Sequence, residues 1–167
     1  MSRGRSHFTG LAGEYYVAYC LTVWEYHASL TVGNAPNIDI LVASPDGSNL
    51  ISLQVKTSRW AHRNKRYGHE VWEWDVGNSA IDRRFDNLWY AFVDLREGDQ
   101  SWAPEVFLVP SSWVDDFVKP EYPRKMYLLK AAAEPLCRER WDMIDKFFAN
   151  DPEVIQWAHE VPDLAKW

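Results

Sequence analysis

The chain has 167 residues, of which 47% are hydrophobic and 25% charged, and a net charge of −6 at neutral pH. These are the values of an ordinary soluble globular protein, long enough to bury a core as one domain without disulfide or metal staples. No apolar run approaches the roughly 20 residues that span a bilayer. The N-terminus, "MSRGRSHFTG", has no apolar core of signal-peptide type. Cys20 and Cys137 make neither a disulfide framework nor a metal set, so a reducing cytoplasm with no membrane partner is the expected setting.

In chain order, Phe8 to His27 reads as a helix, with Ser6 or Thr9 as a cap and Leu11, Ala18 and Leu21 on one stripe. Gly10 and Gly13 in its first turns lower helix propensity and permit close backbone approach. "SLTVG" (Ser29–Gly33) and "NIDILVAS" (Asn37–Ser44) read as strands, and "PDGS" is a turn into a third, "NLISLQVKTSR" (Asn49–Arg59). "EVWEWDV" (Glu70–Val76) alternates as a strand, and Ile81 to Asn87 fits a helical turn. "LWYAFVDL" (Leu88–Leu95) has the continuous apolar character of a strand buried on both faces. "EVFLVP" (Glu105–Pro110) is the next strand, followed by a short helix over "SWVDDFV" capped by Ser111 or Ser112. A helix near Glu134–Ala149 precedes one opened by Asp151 as N-cap and Pro152 as first residue. The fold class is α/β, with helices at both ends of the chain.

Charge is unevenly spread. Residues 1–66 balance at +3 and residues 67–167 at −9. The run "KTSRWAHRNKR" (56–66) holds five Lys/Arg, one His and no acid. Screening confines such a field to about 8–10 Å, so a local basic patch meets phosphate even on an acidic protein; a solvated loop is the plain alternative. Ten tryptophans are present. Trp24, Trp89, Trp113, Trp141 and Trp157 sit among apolar neighbours as expected core, while Trp60, Trp72 and Trp74 flank the basic run. Those three suit packing first and base stacking second.

Two acids occupy positions where an acid is costly. Glu14 lies on the apolar stripe of the first helix, and Asp39 lies between Ile38 and Ile40. A buried carboxylate needs donors or a cation. A hairpin closing at 45–48 sets Asp39 beside residues 54–56, where Ser52, Gln54 and Lys56 form the polar face of the third strand. Asp39, the Gln54 amide oxygen and the Val55 backbone carbonyl are hard oxygen ligands suited to Mg²⁺ or Mn²⁺. Glu14 reaches the ion through a water or holds Lys56, and Lys56 activates a water or stabilises charge on a phosphate. The plain reading is a structural ion pair of Lys56 with Asp39 or Glu14. An edge strand that uses lysine against aggregation also explains the polar face.

In their order, "GLAGEYYVAYCL", "APNIDILV" and "LQVKTS" resemble the PD-(D/E)XK nuclease superfamily over about residues 8–59. The wording is nearest a branch of small prokaryotic and homing-type endonucleases that reads Gly-X-X-Gly-Glu and Gln-Val-Lys-Thr. The resemblance implies a restriction-endonuclease-like core, a mixed central β-sheet flanked by helices, at about 8–118. A C-terminal helical extension follows at about 133–160, all within one nuclease domain. It implies a Mg²⁺-dependent endonuclease acting on DNA, with Glu14, Asp39, Gln54 and Lys56 as catalytic residues. Two departures stand out: the Pro-Asp pair is stretched to Pro36-Asn37-Ile38-Asp39, and Gln54 replaces an acid, leaving one negative charge fewer for a cation. The basic continuation, Arg59, Trp60, Arg63, Lys65 and Arg66, then meets the phosphate backbone, positioning DNA without reading sequence. Enzymes of this fold often cut as homodimers, and the acidic C-terminal half offers a surface to a protein partner. A catalytically silent nucleic-acid- or protein-binding domain is the alternative on the same fold.

Overall fold

The computed structural model describes residues 3–32, 38–66, 68–77, 80, 83–98, 103–118 and 124–160. Gly33, Pro36, Asn37 and the expected start of a turn at Ile81 lie outside the described residues. The elements are α1 (Arg3–Val23), β1 (His27–Leu30), β2 (Ile40–Ala43), β3 (Leu50–Ser58), β4 (His62–Arg66), β5 (His69–Asp75), β6 (Leu88–Asp94) and β7 (Glu105–Pro110). They continue as α2 (Ser111–Phe117), β8 (Lys125–Leu129), α3 (Lys130–Leu136), α4 (Asp142–Phe148) and α5 (Pro152–His159).

Five strands form a mixed sheet in the order β1-β2-β3-β6-β7, with β3 and β6 parallel and the other neighbours antiparallel. β3 is therefore central. Edge protection does not explain its row of Ser52, Gln54 and Lys56. Its opposite row, Ile51, Leu53 and Val55, is buried. Across the parallel ladder Leu53 pairs with Trp89, whose ring meets Trp157 of α5 at 5.1 Å and Phe147 of α4 at 5.6 Å. That face is covered by helices. Lys56 pairs with Phe92, on the face that receives the second sheet, β4-β5-β8. Trp74 of β5 packs on Phe92 at 5.1 Å and on Phe107 at 5.4 Å, and Trp72 packs on Phe107 at 4.9 Å. The molecule thus layers helices, a mixed sheet and a small antiparallel sheet, an α/β architecture. No described helix is long and apolar enough to cross a membrane.

Several expectations change in the structure. α1 ends at Val23, because Glu25 takes a positive φ of 64° and Tyr26 N–H closes back on Leu21 O, so His27 opens β1. Trp24, at that turn, is 51% exposed and not core. The basic run is no loop: Lys56–Ser58 finish β3, and His62–Arg66 form the edge strand of the small sheet. Ser111 and Ser112 lie inside α2, with Pro110 as N-cap. Ser111 Oγ donates to Phe85 O, and Ser112 Oγ donates to Ala158 O. The helix expected over 134–149 is two, α3 and α4, broken where Glu139 adopts a φ of 52° and its N–H bonds Val106 O. β8 has no counterpart among the expected elements. α5 begins as its sequence indicates, with Asp151 accepting from Glu153 N–H at 2.9 Å.

The contact that positions α1 is made without a side chain. A Cβ on Gly13 would lie 2.9 Å from both Cβ and Cγ2 of Thr57, closer than packed carbons approach. Only glycine lets the helix rest on the end of β3. Gly13→Ala should cost about 1–3 kcal/mol by overpacking, read as a lower denaturation midpoint in guanidinium, and the Thr57→Ala background should restore part of the loss.

Candidate active site

β3 outruns β2. The ladder between them runs from Ala43–Leu50 to Ile40–Leu53, after which Asp39 N–H bonds Leu53 O at 2.8 Å and backbone pairing stops. The next β3 donor on that side, Val55 N–H, goes to the Asp39 carboxylate, Oδ2, at 2.7 Å. The N–H and C=O of one strand residue point to the same side, so the Val55 carbonyl faces the bared edge beside Asp39. Gln54 donates its amide N–H₂ to the same Asp39 oxygen. Its Oε1 is buried and has no hydrogen-bond partner among the described residues. Gly13 on Thr57 brings α1 close to the end of β3, and Glu14, the next residue, lies near enough for the Asp39 charge to act on its carboxyl.

Electrostatics follow from burial. Desolvation raises the Asp39 carboxyl above its ordinary pKa, against the Val55 N–H, the Lys56 charge and the Gln54 amide, which pull it down. Desolvation and then Asp39 raise Glu14, while His7 lowers it. Burial lowers the Lys56 ammonium, with Asp39 opposing. Two carboxylates and one lysine are held together with both acid pKa values up and the base down, a pattern that concentrates at functional sites.

A cleft of about 660 Å³ opens beside this group, lined by Ser6, Thr9 and Gly10 of α1, Val55–Ser58 of β3, Arg59, Trp60 and Arg63, with Glu73, Trp74, Asp75, Glu97 and Lys125 also on its walls. Of the basic residues singled out from sequence, Arg63 lines the cleft and hydrogen-bonds Trp60 O at 2.7 Å and His62 O at 3.0 Å. Lys65 is exposed on β4. Arg59 is ion-paired with Glu97, and Arg66 with Glu73 at 3.3 Å, so both carry carboxylate partners. Trp60 is 43% exposed at the cleft rim, whereas Trp72 and Trp74 are core. Sequence reading passed over Glu73 and Lys125, which pair on the cleft wall. The available signal was a lone acid between Trp72 and Trp74 in a strand.

No three His, Cys, Asp or Glu side chains cluster among the described residues. The candidate oxygens are instead mixed: the Asp39 carboxylate, the Val55 carbonyl on the same strand edge, and the partnerless Gln54 Oε1, whose amide presents its nitrogen to Asp39. A buried acceptor with no donor, on a side chain that touches a carboxylate lifted by burial, is a set that could hold a hard cation once the Gln54 amide turns its oxygen toward Asp39.

No family model matches the chain, and no curated protein matches it by sequence. Among solved structures, the chain is similar to a bacterial homing endonuclease, I-Ssp6803I, at a TM-score of 0.53 and 15% identity, over 89% of this chain and 98% of that one. At that identity the likeness concerns the fold: this chain's arrangement of sheet and helices is similar to that neighbour's.

Raised carboxyl pKa values mean that the folded state binds protons more tightly than the unfolded chain. Metal-free stability therefore falls as pH rises from the unfolded carboxylate value through the folded one. Glu14→Gln removes the repulsion with Asp39. It should stabilise the metal-free protein near pH 7, with the gain vanishing toward pH 4, as measured by urea denaturation across that range.

Proposed function

We propose that the chain is a metal-dependent endonuclease hydrolysing DNA phosphodiester bonds, a single PD-(D/E)XK-like domain across residues 1–167. The observation that carries this reading is the partnerless Gln54 Oε1 beside Asp39 at the bared edge of β3, next to a cleft that Lys56 and Arg63 also line. The endonuclease fold of the structural neighbour supports it.

Each residue has a role that its environment suits. Asp39, Gln54 Oε1 and the Val55 carbonyl would hold a Mg²⁺ or Mn²⁺ ion, with Glu14 acting through a water, and that ion would supply Lewis-acid polarisation of the phosphate and a water of lowered pKa. Lys56 in its neutral amine form, which burial favours over the ammonium, would take a proton from the attacking water at Nζ and become the ammonium. Glu14, close enough to feel the Asp39 charge, would orient what Asp39 and Lys56 hold. Arg63 and Lys65 contact backbone phosphates along the cleft, and Trp60 offers a face to a base or sugar. Arg59 and Arg66 join them only by exchanging their carboxylate partners for phosphate.

One observation favours a second reading, a catalytically silent nucleic-acid- or protein-binding domain. Gln54 presents its amide nitrogen, not its oxygen, to Asp39, so the Asp39–Gln54–Val55 network closes on itself. Cleavage separates the two. With Mg²⁺ or Mn²⁺ the wild type should nick or linearise supercoiled plasmid or cut single-stranded DNA, and Lys56→Ala should lose about 10²–10⁴-fold in rate while still binding. Asp39→Ala should lose cleavage and also the rise in melting temperature that Mg²⁺ gives the wild type. Arg63→Ala should weaken binding and reduce the salt slope by about one. A folded wild type that cuts nothing with either metal selects the silent domain.

A further inference from the structure

Helix α1 is apolar on two opposite sides. Gly13, Val17 and Leu21 are buried against the sheet. Each residue turns the helix by about 100°, which lines up Phe8, Ala12, Tyr15, Tyr19 and Val23 on the far side. All five are exposed, Phe8 at 71%, Tyr15 at 61%, Tyr19 at 64% and Val23 at 62%. From Phe8 to Val23 the helix carries one charged residue, Glu14, and that one is on the side of the helix where the Asp39 charge acts on it. In a chain that is one quarter charged, a three-aromatic stripe with no charge to interrupt it is anomalous. Helices apolar all round are buried ones.

We propose that this stripe is the interface between two copies of the chain, their α1 helices packed antiparallel about a two-fold axis near Tyr15 and Tyr16. The residues recur at intervals of four, three, four and four, the spacing of a helix–helix seam. Antiparallel pairing about that axis sets Phe8 against Val23 and Ala12 against Tyr19, a small side chain opposite a large one at both outer levels. An isologous contact requires such self-complementarity. The stripe has no charge to steer an unlike partner and none to repel a like one. Its side chains alone would bury roughly 600 Å² per protomer, given about 150–250 Å² for an aromatic residue. That approaches the roughly 800 Å² per partner of a standard interface, and the flanking Leu11, Ala18 and Thr22 extend it. Gly10 and Glu14 lie toward the sheet side of the helix, so pairing leaves both clefts open. The dimer does not depend on the nuclease reading.

Sedimentation equilibrium of the full chain from about 1 to about 100 μM tests it. The wild type should sediment as a dimer. Tyr15→Glu with Tyr19→Glu should raise the dissociation constant by about a hundredfold or more, with circular dichroism reporting whether the monomer stays folded. Should that variant unfold, Tyr15→Cys in a Cys20→Ser background decides: oxidation should give a covalent dimer, and Ile155→Cys on the exposed face of α5 should not. A wild type that stays monomeric throughout overturns the proposal. So does a dimer that survives both glutamates, or cross-linking no better at position 15 than at 155.

Discussion

The geometry around the candidate site follows from a mismatch in strand length. β3 continues for several residues after β2 has stopped pairing with it, and the first backbone donor left over, Val55 N–H, is taken by the Asp39 carboxylate. A buried amide without a partner costs as much as a lost hydrogen bond or more. The acid therefore works as a structural plug, standing in for the strand that is not there. That same plug draws the Gln54 amide inward and fixes the bared edge at which Lys56 and the Val55 carbonyl emerge. Remove the mismatch, and the polar row of β3 would be a buried liability with no access to the cleft.

The arrangement is held against its own electrostatics. Burial raises both acids and lowers Lys56, so the charged form of each costs the fold stability. The cost is borne elsewhere by aromatic packing. Trp72, Trp74, Phe92 and Phe107 lock the small sheet onto one face of the large one, while Trp89, Trp113 and Trp157 tie the C-terminal helices to the other. Indole N–H groups add directed bonds: Trp113 to Trp157 O at 3.0 Å, and Trp157 to Leu136 O at 2.9 Å. The tryptophan richness of the chain is mostly this scaffold. Only Trp60 and Trp24 are exposed among the described tryptophans.

α1 connects these features. Its inner side has no Cβ where it meets Thr57, and Glu14 beside it lies within the field of Asp39. Its outer side is aromatic and uncharged, which asks for a partner. The second sheet has a comparable double use. Its edge strand places Arg63 on the cleft, while β5 contributes Glu73, pinned by Lys125 and Arg66, as a counter-charge on the cleft wall. A negatively charged ligand entering here meets cations that are partly occupied, so binding rests on exchanging partners more than on a bare positive field.

The sequence by itself determined the elements whose patterns are local. The alternation in β3, the apolar run of β6, the β7 strand and the Asp-Pro start of α5 each follow from neighbours within a few residues. It also marked Glu14 and Asp39, because an acid on an apolar face is visible without coordinates, and the short turn between β2 and β3 limited where Asp39 could land. Tertiary structure decided the rest. That β3 is central, that the basic run is an edge strand and that β8 exists all depend on pairings between residues far apart in the chain. The break between α3 and α4 arises because Glu139 N–H bonds Val106 O, a contact no local propensity encodes. Exposure was settled there too: Trp24 reads as core by its neighbours, and only the turn at Glu25 aims it outward. Periodicity reports what a segment can do with itself, whereas partners, edges and burial are fixed by which distant surfaces the whole chain brings together.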